Sequence, residues 1–121
     1  MNGPQHALKG IRVLDLGRYQ AGPRAALILS RMGAEVIKIE KPGGDESRDH
    51  GPFVRGQSAY WVQYNSGKLS LGLNLRTEAG KAVLSDLVKV SDIFIQNFRP
   101  GTIGQMGFSY ERLRELNRRI I

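Results

Sequence analysis

The sequence contains no cysteine, so disulfide bonds, thiolate metal sites and cysteine nucleophiles are excluded within its 121 residues. Two histidines, His6 and His50, are its only imidazoles, and neither has carboxylates at a spacing that indicates a metal site. The longest apolar run, Ala25 to Leu29, is far shorter than the roughly 18 residues that a membrane span needs. The first residues also lack the apolar core of a secretory signal. A cytoplasmic protein without a metal is therefore expected.

Acidic residues are scarce: 11 Asp and Glu stand against 18 Lys and Arg, for a net charge of +7. A basic chain favours anionic partners. The 12 arginines are scattered rather than interleaved with aromatic residues in a basic run, which argues against nucleic acid as the partner. A small ligand with several phosphates fits the charge better. The alternative is that acidic residues elsewhere in a longer protein balance the charge.

The hydrophobic pattern predicts strands alternating with helices in one domain. The predicted strands cover residues 11–16, 35–40, 69–75 and 92–96. The predicted helices cover residues 22–32 and 58–65 and two further segments, capped by Thr77 and Ser109. Such alternation is typical of an α/β domain with a mostly parallel sheet and flanking helices. In the first helix the expected buried face comprises Ala25, Ile28, Leu29 and Met32.

The last predicted helix closes at Asn117, and residues 118–121 resemble the beginning of another strand. The sequence thus ends inside an element. We expect it to be the N-terminal part of a longer protein.

Glycine-containing loops follow the first two predicted strands. Residues 17–23 open a helix at the carboxyl edge of the sheet, where ligands bind and where a helix N-terminus attracts anions. Gly17 and Gly22 are five residues apart, so the loop is not a GxGxxG dinucleotide motif, and a plain strand-to-helix turn fits the spacing equally well. Glu40 nonetheless ends the second predicted strand, where dinucleotide-binding proteins have an acidic residue that binds the ribose. A nicotinamide-binding oxidoreductase therefore stays an alternative. Residues 42–45 lack the Lys-Ser/Thr ending of a P-loop, which argues against an NTPase.

Two further positions carry polar groups near strand ends. Asp15, inside the first strand, is interpreted as a hydrogen-bonded structural acid, because no base is visible near it in the sequence. Asn97 and Arg99 follow the last predicted strand, where an arginine beside an amide suits bidentate binding of a phosphate. The alternative for that segment is a solvated turn.

Several segments together resemble one known family. In chain order they are residues 8–16, 20–23, 33–40 with Pro42 and Asp45, 65–68, 77–81, 91–101, and 106–108 leading to Leu116 and Asn117. They are similar to the N-terminal part of the class III CoA-transferases, a group that includes formyl-CoA transferase, carnitine CoA-transferase and alpha-methylacyl-CoA racemase. As a set in this order, they are highly specific for that family.

The resemblance implies that residues 1–121 belong to a large Rossmann-like domain that binds coenzyme A in an interlocked homodimer. The implied reaction transfers CoA between an acyl-CoA and a carboxylic acid. The residues that the resemblance places in contact with CoA follow four strands: they are Gln20, Ala21, Lys41, Leu73, Asn74, Leu75, Arg76, Asn97, Phe98 and Arg99. The family's catalytic aspartate is expected beyond residue 121, so this chain by itself is expected to be inactive.

Two positions depart from the family pattern. Gln105 replaces an arginine that contacts the phosphates in formyl-CoA transferase, and Asn74 replaces a frequent aspartate. The Gln20–Pro23 turn resembles formyl-CoA transferase more than the racemase, and this favours a transferase. A racemase-like enzyme and a nonenzymatic nucleotide-binding module remain alternatives.

Overall fold

A computed structural model describes residues 6–121. In chain order its strands are β1 (Arg12–Asp15), β2 (Glu35–Glu40), β3 (Phe53–Val54), β4 (Gln57–Ser58), β5 (Leu69–Gly72) and β6 (Ile93–Ile95). Its helices are α1 (Ala21–Arg31), a short 3-10 helix (Glu46–Asp49), α2 (Ala59–Asn65), α3 (Glu78–Lys89), α4 (Thr102–Gln105) and α5 (Tyr110–Leu116). No helix in this described part of the chain combines the length and the apolar character needed to cross a bilayer.

The main sheet has four parallel strands in the order β5-β2-β1-β6. In the centre, Val13 of β1 lies opposite Val36 of β2 and Ile93 of β6. Val13 and its neighbour Leu14 point to opposite faces, and both are fully buried. A run of branched apolar residues is therefore required in β1, because both faces of the strand are covered. The predicted α/β class with a parallel sheet is confirmed.

Two hydrophobic clusters cover the two faces of the sheet. On one face, Leu84 and Val88 of α3 and Leu113 of α5 pack against Leu14. On the other face, Ala26 of α1 packs with Val13, Ala34 and Val36. The side chain of Thr77 accepts a hydrogen bond from Gly80 N–H, and that of Ser109 accepts one from Arg112 N–H, so both predicted N-caps are confirmed.

Helix α1 buries a different face from the one predicted. Its buried residues are Gly22, Pro23, Ala26 and Leu27. Ala25, Ile28 and Met32 are exposed, and of the predicted face only Leu29 packs against the core. The reason is close packing: a Cβ placed on Gly22 would lie 2.8 Å from the Cα of Gly17. The helix thus approaches the sheet through its small residues, which a hydrophobicity pattern ranks below Ile and Met.

Strand β5 is shorter than predicted, because residues 73–75 leave the sheet. Leu73 N–H still donates to Glu40 O at 2.8 Å. The next residue, Asn74, then turns the chain, with its side-chain oxygen accepting a hydrogen bond from Arg76 N–H at 3.1 Å. Asparagine side chains form such local bonds in competition with a strand ladder. As a result, residues 73–76 form a loop instead of a strand end.

The sequence pattern did not predict the antiparallel hairpin of β3 and β4, in a region without clear periodicity.

Beyond β6, Ile121 N–H donates to Asp92 O and Phe94 N–H donates to Ile121 O, at 3.0 and 2.9 Å. Residue 121 therefore pairs with β6 in the manner of a parallel neighbour.

Candidate functional site

A cleft of about 710 Å³ lies at the carboxyl edge of the sheet. The apolar side chains lining it include Leu16, Ile39, Leu73, Leu75, Phe98 and Met106. The charged side chains lining it are Arg18, Glu40, Lys41, Glu46 and Arg76. An apolar cleft with a few charged groups is the usual form of a small-molecule site, and in parallel sheets it lies at this edge.

The structure brings many of the predicted contact residues to this cleft. Those that line it are Lys41, Leu73, Asn74, Leu75, Arg76 and Phe98. They come from the loops after β2, β5 and β6, which are distant in sequence. The loops meet because the carboxyl ends of parallel strands share one edge.

The other predicted residues lie outside the lining of the cleft. Gln20 precedes α1 and Ala21 begins it, and both are exposed, as is Arg99. Asn97 uses its side chain internally: its Oδ1 accepts a hydrogen bond from Arg18 N–H at 2.6 Å, and its Nδ2 donates to Arg18 O at 2.9 Å. Asn97 therefore holds the loop after β1 against the loop after β6.

Arg18 is a lining residue that the sequence reasoning missed. Its guanidinium lies 5.6 Å from the centroid of the Phe98 ring, and its Nη1 lies 2.6 Å from Glu46 Oε2. The signal was available, since Arg18 follows Gly17 directly after a strand that ends at the ligand-binding edge.

Glu46 joins two cations of the cleft. Its Oε2 accepts from Arg18, and its Oε1 accepts from Lys41 Nζ at 2.6 Å. The hydrogen bond from Lys41, together with the charge of Arg18, lowers the pKa of Glu46 to about 2. Glu46 is therefore ionised at neutral pH. With Arg76, the charged groups at the rim sum to a positive charge.

Glu40 is buried and fully occupied by protein partners. Its Oε2 accepts from Arg48 Nε at 2.8 Å and from Asp45 N–H at 3.0 Å. Its Oε1 accepts from Arg48 Nη2 at 2.7 Å and from the Ser70 hydroxyl at 2.8 Å. Burial by itself raises the pKa of this carboxyl, but the hydrogen bonds from Arg48, Asp45 and Ser70 lower it to about 2. Because each oxygen already accepts two bonds, Glu40 does not serve as the ribose-binding acid that its position imitates.

Asp15 lies in a buried cluster behind the loop of residues 17–23. Lys68 Nζ donates to Asp15 Oδ2 at 2.7 Å and to Pro23 O at 2.8 Å, and Gly17 N–H donates to Asp15 Oδ1 at 2.8 Å. Lys38 Nζ donates to Gly17 O and lies 3.5 Å from Asp15 Oδ2. Burial lowers the pKa of both lysines, against the attraction of Asp15. The hydrogen bonding predicted for Asp15 is confirmed, with two lysine partners that the sequence did not indicate, and the cluster positions the loop that leads to Gln20.

Aromatic side chains gather beside the same loop. The rings of Tyr19, His50, Tyr60 and Tyr64 form a row. Their centroids are 5.5 Å apart between the first two rings, 5.8 Å between the second and third, and 5.1 Å between the last two. The backbone of Tyr19 has a positive φ of 60°. The sequence placed Tyr60 and Tyr64 in one predicted helix and Tyr19 and His50 in two separate segments, and it indicated no grouping of the four. The surface next to Gln20 is therefore aromatic, unlike the cationic rim of the cleft.

An open parallel sheet with a cation-rimmed cleft at its carboxyl edge is typical of α/β proteins that bind nucleotide-like ligands. Comparison with known proteins narrows this class. The model of CoA-transferase family III matches residues 8–121. The chain belongs to this family.

Curated relatives and a solved structure agree with this assignment. The chain is 42% identical to formyl-CoA:oxalate CoA-transferase of Streptomyces avermitilis, covering 95% of this chain and 28% of the relative. It is 42% identical to acetyl-CoA:oxalate CoA-transferase of Acetobacter aceti, covering 98% of this chain and 31% of the relative. The crystal structure of a mutant of Rv3272 from Mycobacterium tuberculosis superposes with a TM-score of 0.93 at 38% identity, covering 98% of this chain and 32% of that one. The chain thus spans about a third of the length of the proteins that it matches.

Proposed function

We propose that this chain forms the CoA-binding portion of an acyl-CoA:carboxylate CoA-transferase. The observation that carries the proposal is the cleft at the carboxyl edge, where Lys41, residues 73–76 and Phe98 converge. CoA carries a pyrophosphate and a 3′-phosphate, and phosphates bind to guanidinium and ammonium groups through charge-assisted hydrogen bonds. Arg18, Lys41 and Arg76 supply such groups at the rim, and the apolar lining suits the less polar parts of the ligand.

The remaining predicted contacts extend the ligand path along the same edge. Gln20 and Ala21 lie at the beginning of α1, behind which the buried lysines position the loop. Arg99 lies next to Phe98 of the cleft lining. CoA is long enough to have contacts both inside and outside one cleft, so we propose that Gln20, Ala21, Asn97 and Arg99 belong to the same binding site.

For the chemistry, we propose a carboxylate nucleophile outside residues 1–121, as in the class III transferases that the sequence resembles. A carboxylate nucleophile divides CoA transfer into covalent steps that preserve the energy of the thioester. The substrates are then an acyl-CoA and a carboxylic acid. Residues 1–121 bind CoA but do not transfer it by themselves. The same proposal includes a cytoplasmic, interlocked homodimer.

A racemase-like enzyme is the principal alternative, since it uses the same CoA site and differs at the acyl group. The Gln20–Pro23 turn favours the transferase. The nicotinamide-binding alternative loses its main support, because Glu40 is occupied by Arg48, Ser70 and Asp45.

Calorimetric titration of the full-length protein with CoA and with NAD tests the proposal. We expect CoA to bind and NAD to bind far more weakly. Arg76→Ala is expected to weaken CoA binding by roughly 1–3 kcal/mol, the scale of a lost charge-assisted contact. Arg114→Ala, on the exposed face of α5, serves as the matched control and should leave the affinity unchanged. Tight NAD binding without CoA binding would contradict the proposal.

A further inference from the structure

The carboxylate of Glu46 lies between two cations at the rim of the cleft. Each of its oxygens accepts from one of them, with Nη1 of Arg18 and Nζ of Lys41 both at 2.6 Å. All three residues line the cleft. Glu46 thus already uses N–H groups that an anionic ligand in this cleft needs.

A carboxylate oxygen and a phosphate oxygen compete for the same donors. Guanidinium and ammonium groups bind both kinds of anion through short, charge-assisted hydrogen bonds. Glu46 lies within the bonding distance of both cations. A phosphate that takes these same N–H groups must exchange places with this carboxylate, and one that binds the remaining donors of Arg18 and Lys41 still lies beside its negative charge.

The exposure of the Glu46 contacts makes such an exchange easy. The side chain of Glu46 is 44% exposed, and those of Arg18 and Lys41 are 28% and 47% exposed. Ion pairs this accessible to water contribute little to stability. The neighbouring Glu40 differs, since its side chain is only 3% exposed and both its oxygens are fully bonded. Of these two glutamates, only Glu46 can leave its partners at low cost.

We propose that Glu46 is a specificity-determining residue of the cleft, an internal anion that competes with a phosphate group of the ligand for Arg18 and Lys41. The inference rests on the proposed function, because it requires a phosphate-bearing ligand in this cleft. It has two consequences. Glu46 weakens the binding of phosphate-bearing ligands, and it has little effect on a ligand that lacks phosphate and so does not compete for the two cations.

The test compares Glu46→Gln with the parent sequence in the full-length protein by calorimetric titration. The probes are CoA and pantetheine, which lacks every phosphate. We expect Glu46→Gln to bind CoA roughly three- to tenfold more tightly, because a nearby negative charge and a competitor for the cations are both removed. Pantetheine should bind both proteins equally. Glu78→Gln removes the same charge from a side chain of α3 that is 96% exposed, and it should leave both affinities unchanged.

Two results would overturn the inference. One is CoA binding by Glu46→Gln that is equal to or weaker than that of the parent sequence, which would show that Glu46 organises the two cations for the ligand. The other is equal tightening of CoA and pantetheine. A parent protein that folds but does not bind CoA would contradict the proposed function instead. In that case, the affinities of the parent protein and of Glu46→Gln for inorganic pyrophosphate are compared. Equal affinities would refute the inference about Glu46.

Discussion

The ammonium group of Lys68 lies 2.7 Å from a carboxylate oxygen of Asp15, and their side chains are 1% and 0% exposed. The same ammonium donates to Pro23 O in α1 and to Asn65 Oδ1 in α2. One buried lysine therefore joins the end of β1 to two helices. Lys38 Nζ lies 3.5 Å from the same oxygen of Asp15, so one carboxylate oxygen is within ion-pair distance of two buried cations. This arrangement makes Asp15 the most sensitive member of the cluster.

Asp15→Asn is expected to lower the free energy of unfolding by roughly 3–5 kcal/mol, because it leaves two buried ammonium groups without their carboxylate. Urea unfolding monitored by circular dichroism measures the loss. Asp86→Asn, which affects an exposed ion pair with Lys89, is the matched control and should change stability by about 0.5 kcal/mol or less. A loss below about 1 kcal/mol for Asp15→Asn would show that the two lysines do not depend on this charge.

The low pKa of Glu40 predicts that the free energy of unfolding decreases with acid in a defined pH range. Its pKa is about 2 in the folded protein against an ordinary value of 4.5, so the unfolded chain binds its proton more tightly. The stabilisation is therefore complete above about pH 5 and is lost as the pH falls through 4.5 towards 2, by roughly 2–3 kcal/mol in all. Urea unfolding across this pH range measures it. In Glu40→Gln the dependence should be flatter by that amount, and an equally steep profile would assign the acid sensitivity to other carboxyls.

Substitution of Gly80 in α3 tests whether helix propensity or packing determines the effect on stability. Alanine is normally the better helix former by roughly 1 kcal/mol. A Cβ on Gly80, however, would lie 2.0 Å from the carbonyl oxygen of Asn74, a backbone atom of the loop that lines the cleft. We therefore expect Gly80→Ala to destabilise the protein by roughly 1–3 kcal/mol and to weaken CoA binding as the loop shifts.

Gly104→Ala is the matched control for this glycine substitution. A Cβ on Gly104 in α4 would meet nothing nearer than 4.0 Å, at the Ser109 side chain. We expect no loss of stability for Gly104→Ala when thermal melts of Gly80→Ala, Gly104→Ala and the parent protein are compared. If Gly80→Ala proves neutral as well, the loop of residues 73–76 is not constrained by α3.

Arg99→Ala is expected to weaken CoA binding by roughly 1–3 kcal/mol, because an exposed guanidinium beside the cleft loses a charge-assisted contact with a phosphate. Titration at low and moderate salt measures the change, which should diminish as salt screens the contact. Arg118→Ala, an exposed arginine near the end of the chain, is the control. Unchanged affinity in Arg99→Ala would assign the phosphates to Arg76 and Lys41.

The local sequence pattern was sufficient to predict the parallel sheet and the edge of that sheet at which the cleft lies. Buried runs such as residues 11–16, separated by helical segments, determine an α/β sheet through the periodicity of their side chains. The caps Thr77 and Ser109 were predictable because each acts on a backbone amide three residues away. The predicted contact residues in the loops after β2, β5 and β6 were indicated by the family resemblance, and the parallel topology accounts for their meeting in space.

Packing and pairing across long sequence distances were not predictable in this way. The buried face of α1 depends on how closely Gly22 approaches Gly17, and hydrophobicity does not record that distance. Lys68 and Asp15 are separated by 53 positions, and Arg18 and Glu46 by 28, so no local spacing indicates either pair. The Arg18–Glu46 pair forms because parallel strands bring the loops after β1 and β2 to one edge of the sheet. The Lys68–Asp15 pair forms because Lys68, directly before β5, reaches the end of β1 beside α1 and α2. In both pairs, charged side chains find partners that only the folded chain provides.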